Sequence, residues 1–353
     1  MSHSTDDLSN LSCPVPIGTY KQILLAHGGG GKLTHQLIQE MIAPQFANEL
    51  LSPLHDGAVF SVKGGHLAFS TDSFVVNPIF FPGGTIGDLA VNGTVNDLAM
   101  CGAKPRYLSA AFIIEEGMTM EELWRVIVSM KDAADQAGVM LVTGDTKVVD
   151  RGKGDKIFIT TSGVGIVEDG VNIHPANARP GDVVILSGPI GLHGIAVLSI
   201  REGLEFETEI VSDTAALNSL VENMLHVEKN IRVLRDPTRG GIASALNEIA
   251  ESAGVGIMIS EENIPVPEEV RGACEILGLD PLYVANEGKL LAVVPPESAG
   301  RILTVMRSHP LGRDAVAIGE IMKSDAGIVL MKTRIGSTRV VNMLSGEQLP
   351  RIC

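Results

Sequence analysis

The chain of 353 residues is too long for one ordinary core and fits two domains of common size. Its 45% apolar and 20% charged content is that of a packed globular protein and excludes a disordered one. A net charge of -15 and a pI near 5.0 exclude a nucleic-acid footprint, which needs clustered Lys and Arg.

Residues 1–20 are polar and proline-bearing, a flexible leader that need not pack. They have neither the basic start nor the apolar run of a secretory signal, and no later stretch approaches the roughly 20 apolar residues of a membrane helix. A cytoplasmic protein with no membrane contact is expected. Residues 21–170 mix helical patterns (LTHQLIQEMI, IGDLAVNGTVNDLAMC, MEELWRVIVSMKDAADQAG) with strand patterns (HLAFSTDSFVV, RYLSAAFII, VMLVTGDT, KIFITTSGVGIV), which makes one α/β domain. The stretch HPANARPGDVVILSG opens from a Pro/Gly loop into a buried strand, and a second α/β domain follows over 171–331. There GGIASALNEIAESAGVGIMIS and KLLAVVPPESAGRILTVM each join a helical and a strand period. Residues 332–353 have too few apolar side chains to build a core and read as a mobile arm ending in Cys353.

Four cysteines, Cys13, Cys101, Cys274 and Cys353, fit neither a disulfide framework nor a paired zinc site. Cys101 and Cys274 lie in helical apolar settings and read as small core residues. His27, His55 and His193 are candidates to touch phosphate or substrate, but a lone His near a loop is more often a polar surface group, and they are read as such, with no metal assigned to histidine. Cys353 is not a prenylation signal, which needs Cys four positions from the end.

Ala26-His27-Gly28-Gly29-Gly30-Gly31-Lys32 follows an apolar segment and precedes a helical pattern, where a backbone cradle for phosphate would sit. It is not a Walker A loop, because Ala26 and Leu33 stand where that motif needs Gly and Ser or Thr. It is either a phosphate cradle or a flexible connector. Four carboxylates occupy small, turn-like settings: Asp56 in HDGAVF, Asp72 in STDSF, Asp97 in TVNDLAMCGAKP and Asp145 in TGDTK. Each alone reads as a turn or cap residue; converging beside a phosphate loop they would hold Mg²⁺ and a nucleotide.

Taken in order, HDGAVF, STDSF, NDLAMCGAKP, TGDTK and DPTRGG resemble the ATP-binding superfamily of aminoimidazole ribonucleotide synthetase, selenophosphate synthetase and thiamine-monophosphate kinase. The AHGGGGK loop and the final Pro350-Arg351-Ile352-Cys353 are similar to the HypE family of hydrogenase maturation factors, and the likeness runs from about Gly28 to Cys353.

The resemblance implies an α/β, two-domain PurM-like fold, a homodimer formed through the N-terminal domain, and ATP with Mg²⁺ as cofactors. It assigns Asp56, Asp72, Asp97 and Asp145 to metal or phosphate, with Asn92 and Asn96 in the same groove. Gly28, Gly29, Gly30, Gly31 and Lys32 become the phosphate cradle. Lys147 and Glu287 are implied to stand near the modified cysteine as base or charge stabiliser, and Asp236 in Asp236-Pro237-Thr238-Arg239-Gly240-Gly241 matches a motif shared across the superfamily, whose glycines open a helix in the second domain and which leaves a structural role open to Asp236.

The implied activity is ATP-dependent dehydration of a carbamoyl group on Cys353 to a thiocyanate, the source of cyanide for the iron of NiFe hydrogenase. Implied partners are a HypF-type carbamoyltransferase and a HypC–HypD-type assembly complex. Thiamine-monophosphate kinase or selenophosphate synthetase activity is the alternative, but neither explains the PRIC terminus, and no cysteine lies in the glycine loop.

Overall fold

The computed structural model describes residues 22–46, 48–203 and 210–344. The glycine loop leads into α1 (Lys32–Gln36), which continues as a π-helical turn over Leu37–Ile42. β1 (Ala58–Val62) and β2 (Gly65–Phe74) form a hairpin whose turn needs the positive φ of Gly64. A short ribbon, β3 (Phe80–Phe81) and β4 (Gly84–Thr85), then delivers the chain to α2 (Ile86–Met100). Thr85 caps that helix and Asp88 returns the bond to the Thr85 N–H, a reciprocal cap that fixes where the helix starts.

β5 (Ala103–Glu115), α3 (Met120–Ala137), β6 (Met140–Val149) and β7 (Ile157–Val167) complete the first domain. Its sheet runs β1-β2-β7-β5-β6, antiparallel except for β5 and β6. That parallel pair needs a crossover, which α3 supplies; Thr119 and Glu122 cap its start, and Gly138, at φ +70°, ends it. One face of the sheet packs on α2, where Thr94 Oγ1 meets Thr161 Oγ1 at 2.6 Å. The other face leaves Phe69, Tyr107, Ile113 and Ile166 exposed, with Met140, Val142 and Val148 along the β6 edge.

The second domain contains β8 (Val183–Leu186), α4 (Leu192–Arg201), α5 (Asn218–Val227), β9 (Val233–Arg235), α6 (Gly241–Ala253), β10 (Gly256–Ser260) and α7 (Glu268–Leu277). It ends with β11 (Leu291–Val294), α8 (Pro296–Ser308), β12 (Val316–Met322), β13 (Val329–Lys332) and β14 (Thr338–Val341). The sheet order is β14-β13-β10-β12-β8-β11-β9. α6 covers one face through Ile242, Leu246 and Ile249, while α5 and α8 cover the other and also receive Ala99 and Met100 from α2. The two domains therefore share buried surface rather than hanging on a linker.

The expectation of a coreless arm from residue 332 needs correction. β14 pairs with β13 as the edge strand of the second sheet, and Val341 is fully buried. A single apolar residue facing inward suffices for a strand that borrows its partner's core, and composition over a whole segment cannot detect that. The leader and the terminal stretch with Cys353 lie outside the described residues. Among the described residues no helix is long and apolar enough to cross a membrane.

Candidate functional site

The turn from β9 into α6, Asp236-Pro237-Thr238-Arg239-Gly240-Gly241, is bent by two successive left-handed glycines, at φ +77° and +59°. A Cβ on Gly241 would lie 2.4 Å from the Leu282 carbonyl oxygen, so no other residue fits. This turn carries Arg235, Asp236 and Arg239 of the second domain to the carboxylates of the first. Asp56 precedes β1, Asp97 lies in the last turn of α2, and Ser70 of β2 joins them: its Oγ lies 2.6 Å from Asp97 Oδ2 and 2.8 Å from the Asp56 carbonyl.

Asp56, Asp97 and Asp236 each present a carboxylate oxygen, all within 4.8 Å of one another. Like charges this close in a buried site oppose ionisation. Burial, then Asp236, Asp56 and Asp72, drives Asp97 well above the ordinary carboxylate range. Asp236 is pushed up to about 8, by burial first and by Asp56 next. Burial also raises Asp56 and Asp72, partly countered by Arg235 and Arg239 respectively. Glu287, 8% exposed, is raised well above its normal value by burial and then by Asp236, Asp213 and Asp72.

Arg235 makes ion pairs with Asp56 and Glu248, and those carboxylates outweigh its burial to keep it charged. One arginine shared this way leaves the site short of positive charge. His55 cannot supply it: its Nδ1 lies 3.5 Å from Asp56 Oδ2, but burial, then Arg235 and His174, drop its pKa to about 3. Asp56 Oδ2 is buried and accepts no hydrogen bond. An all-oxygen set with an orphaned carboxylate oxygen and excess negative charge fits a hard divalent cation such as Mg²⁺.

The glycine loop stands at the same place. Gly30 takes φ +72°, and a Cβ there would lie 2.7 Å from Arg239 Cβ; one on Gly31 would lie 2.4 Å from the Leu344 carbonyl oxygen. Arg239 Nη1 donates to the Gly28 carbonyl at 3.0 Å, and the Lys32 N–H donates to the Leu344 carbonyl at 2.8 Å. The loop is thus wedged between the Arg239 turn and the chain leaving β14. Close backbone approach explains Gly30 and Gly31, a reason absent from either sequence-level reading. The Lys32 residue itself is exposed. A cavity of about 810 Å³ opens here, lined by Gly30, His35, His55, Phe60, Asp236 and Glu248 among others.

Of the expected site residues, Asp56, Asp72, Asp97, Glu287 and the glycine loop come together. Asp145 and Lys147 do not join them within one chain. They pair with each other at 2.8 Å, both exposed, on the open face of the first sheet. Asp145 is registered with Ala111, Thr160 and Ser73, one step out of phase with the row of Asp72, Thr161 and Ala110 on the buried face. Asn92 reaches Thr214 Oγ1 at 3.2 Å; Asn96 bonds the backbones of Ala215, Leu217 and Glu287 and joins the domains instead of lining the cavity. Cys353 lies outside the described residues.

Asp236 and its neighbour Arg235 are the residues that sequence reasoning undervalued; the flanking Gly240-Gly241 pair was the available signal that this turn is tightly constrained. The His55 side chain is only 4% exposed and His193 is buried, so neither is a surface group. His193 packs 5.4 Å from Phe81 in a T-shaped contact, sets its Nδ1 2.8 Å from Ser212 Oγ, and is lowered to about 4 by burial. Cys101 and Cys274 are free, buried thiols; burial, then Asp56, raises Cys101 well above the ordinary thiol range.

Residues 54–167 match the N-terminal domain of AIR synthase related proteins, and residues 179–332 match the C-terminal domain. The carbamoyl dehydratase HypE of Cupriavidus necator is 56% identical over 333 residues, covering 94% of this chain and 95% of that one. A crystal structure of a HypE–HypF complex superposes with a TM-score of 0.83 at 50% identity, over 87% of this chain and 99% of that one. A HypE structure in complex with ATP gives 0.79 at 50% identity, over 94% and 100%. A thiamine monophosphate kinase from Aquifex aeolicus, 21% identical with a TM-score of 0.63, shares the fold alone. At these identities over nearly its whole length, the chain belongs to the HypE carbamoyl dehydratase family.

Proposed function

We propose that the protein uses ATP to dehydrate a carbamoyl group carried on its own Cys353 thiol, giving a thiocyanate, ADP and phosphate. The observation that carries this reading is the convergence of Asp56, Asp72, Asp97, Asp236 and Glu287 beside the glycine loop in a family whose relatives are carbamoyl dehydratases. The thiocarbamate oxygen attacks the γ-phosphorus as the bond to ADP breaks. One proton leaves nitrogen as the C=N bond forms. The second leaves as the carbon–oxygen bond to phosphate breaks, so the oxygen departs with phosphate and Cys-S-C≡N remains.

Asp56, Asp97 and Asp236, with Asp72 beside them, would hold Mg²⁺, which supplies positive charge to phosphate oxygens. The glycine loop brings backbone amides and Lys32 to the same phosphates. Glu287 is the base: a carboxyl whose burial favours the protonated form is a strong acceptor once ionised, suited to protons leaving nitrogen.

Asp145 and Lys147 belong to this scheme through a homodimer. The apolar face formed by Phe69, Tyr107, Ile113 and Ile166 is a surface that a second copy would cover, and residues standing on it serve a site approached from that side. A HypF-type carbamoyltransferase supplies the group on Cys353, and a HypC–HypD-type complex takes the cyanide onward in the cytoplasm. The test is phosphate release after mixing carbamoylated protein with Mg-ATP: one phosphate per modified chain supports the reading. Steady hydrolysis without modification, or in Cys353→Ala at the same rate, contradicts it.

A further inference from the structure

Residues 210–217 form no regular element, yet they are tied to both domains. The Ser212 N–H donates to the Pro82 carbonyl at 2.8 Å, and the Leu217 N–H to Asn96 Oδ1 at 2.7 Å, both in the first domain. Toward the second domain, Asp213 Oδ1 accepts the Glu287 N–H at 3.1 Å, and the Ala215 N–H donates to the Glu287 carbonyl at 3.3 Å. Asn96 Nδ2 adds a second bond to that carbonyl at 3.4 Å. The two segments approach so closely that a Cβ on Gly288 would lie 1.8 Å from the Asp213 carbonyl oxygen.

Asp213 is itself held. Its Oδ2 lies 3.1 Å from Lys289 Nζ, with the two side chains 3% and 9% exposed, and the same ammonium donates to the Gly288 carbonyl at 3.2 Å. Glu287 precedes β11 and has no ladder to hold it, so these side chains do what a sheet would otherwise do. A buried Lys–Asp pair is poor value for stability alone, because desolvating both ions offsets most of their attraction. Its geometry is directed at one backbone.

We propose that Asp213, braced by Lys289, is a positioning residue that fixes the backbone of Glu287 and hence the aim of its carboxyl in the dehydration step. This rests on the reading of Glu287 as the base. A shift of about 1 Å in a catalytic group costs on the order of 100-fold in rate, which sets the expected effect.

The test uses the full chain, carbamoylated on Cys353 by its HypF-type partner and mixed with Mg-ATP, following thiocyanate formation by mass in a single turnover. Asp213→Ala is expected to slow the step about 100-fold with the half-saturating ATP concentration unchanged. Asp213→Asn, which keeps an oxygen to accept the Glu287 N–H, is expected to recover most of the rate. Equal slowing by Ala and Asn, a rate unchanged in Asp213→Ala, or a loss confined to ATP half-saturation would overturn the positioning role. Should Asp213→Ala fail to fold, Lys289→Gln carries the test, with a loss of about tenfold expected and a wild-type rate overturning the inference. Glu287→Gln separates the two levels. If it dehydrates at the wild-type rate, the base assignment and this inference both fall. If it is inactive while Asp213→Ala is not, this inference falls alone.

Discussion

Arg235, the last residue of β9 in the second domain, forms an ion pair with Asp56 of the first, and its other guanidinium nitrogen pairs with Glu248 of α6. One planar cation therefore ties a candidate metal ligand to the helix that frames the cavity. Arg235→Ala leaves the Asp56 carboxylate, 9% exposed, and the half-buried Glu248 without their shared cation and is expected to destabilise the fold by about 3–5 kcal/mol. Arg235→Lys keeps the charge but cannot fork to two carboxylates, so it is expected to retain the fold and weaken Mg-ATP binding. Urea unfolding and nucleotide titration of both variants check this; an Arg235→Ala protein as stable as wild type contradicts it.

The raised pKa of Asp236 makes a signed pH prediction. Its folded value of about 8 exceeds the ordinary aspartate value of 3.8, so over that range the folded state binds a proton that the unfolded state releases. Stability of the metal-free protein is therefore expected to be greatest below about pH 4 from this group and to fall as pH rises toward 8. Mg²⁺ displaces that proton, so its apparent affinity is expected to rise with pH over the same window and to level off above 8. Asp236→Asn flattens both slopes. Thermal unfolding from pH 5 to 9, with EDTA and with Mg²⁺, measures them, and a wild-type slope in Asp236→Asn removes this residue from the metal site.

Gly30→Ala places a methyl 2.7 Å from Arg239 Cβ at a left-handed backbone position. The strain is about 1–3 kcal/mol, and it falls on the contact between loop and turn instead of a core. ATP affinity is expected to drop at least about tenfold with little change in circular dichroism, because about 1.4 kcal/mol is a factor of ten. Unaltered affinity in calorimetry would mean that the loop does not meet the phosphates.

Ile113→Asp and Val148→Asp put charge on the open face and edge of the first sheet, where both side chains are exposed in the single chain. If a second copy covers that face, both changes give monomers in light scattering, and Lys147 loses its role with them. Dimers that survive both substitutions place the interface elsewhere.

Much of this organisation was legible from the chain itself. The 3.6-residue period of α3 and its Thr119–Glu122 cap, and the alternation along β7, are local signals that packing left intact. Asp56, Asp72 and Asp97 stood out because each sits in a small-residue setting at an element end. Convergence was not legible: Asp145 shares their motif character, but a one-residue difference in sheet phase puts it on the opposite face. His55 and His193 read as surface groups because burial of a polar side chain depends on what packs over it from the other domain. Asp213 gave no local signal, since its role comes from contacts with Glu287 and Lys289, more than seventy residues on.

The mass of the C-terminal peptide tests the central claim most directly, after incubation with ATP, Mg²⁺, carbamoyl phosphate and an active HypF-type partner. The account predicts a carbamoyl gain on Cys353 followed by the loss of one water. A peptide that stays unmodified while the partner is active and ATP is still hydrolysed would contradict it.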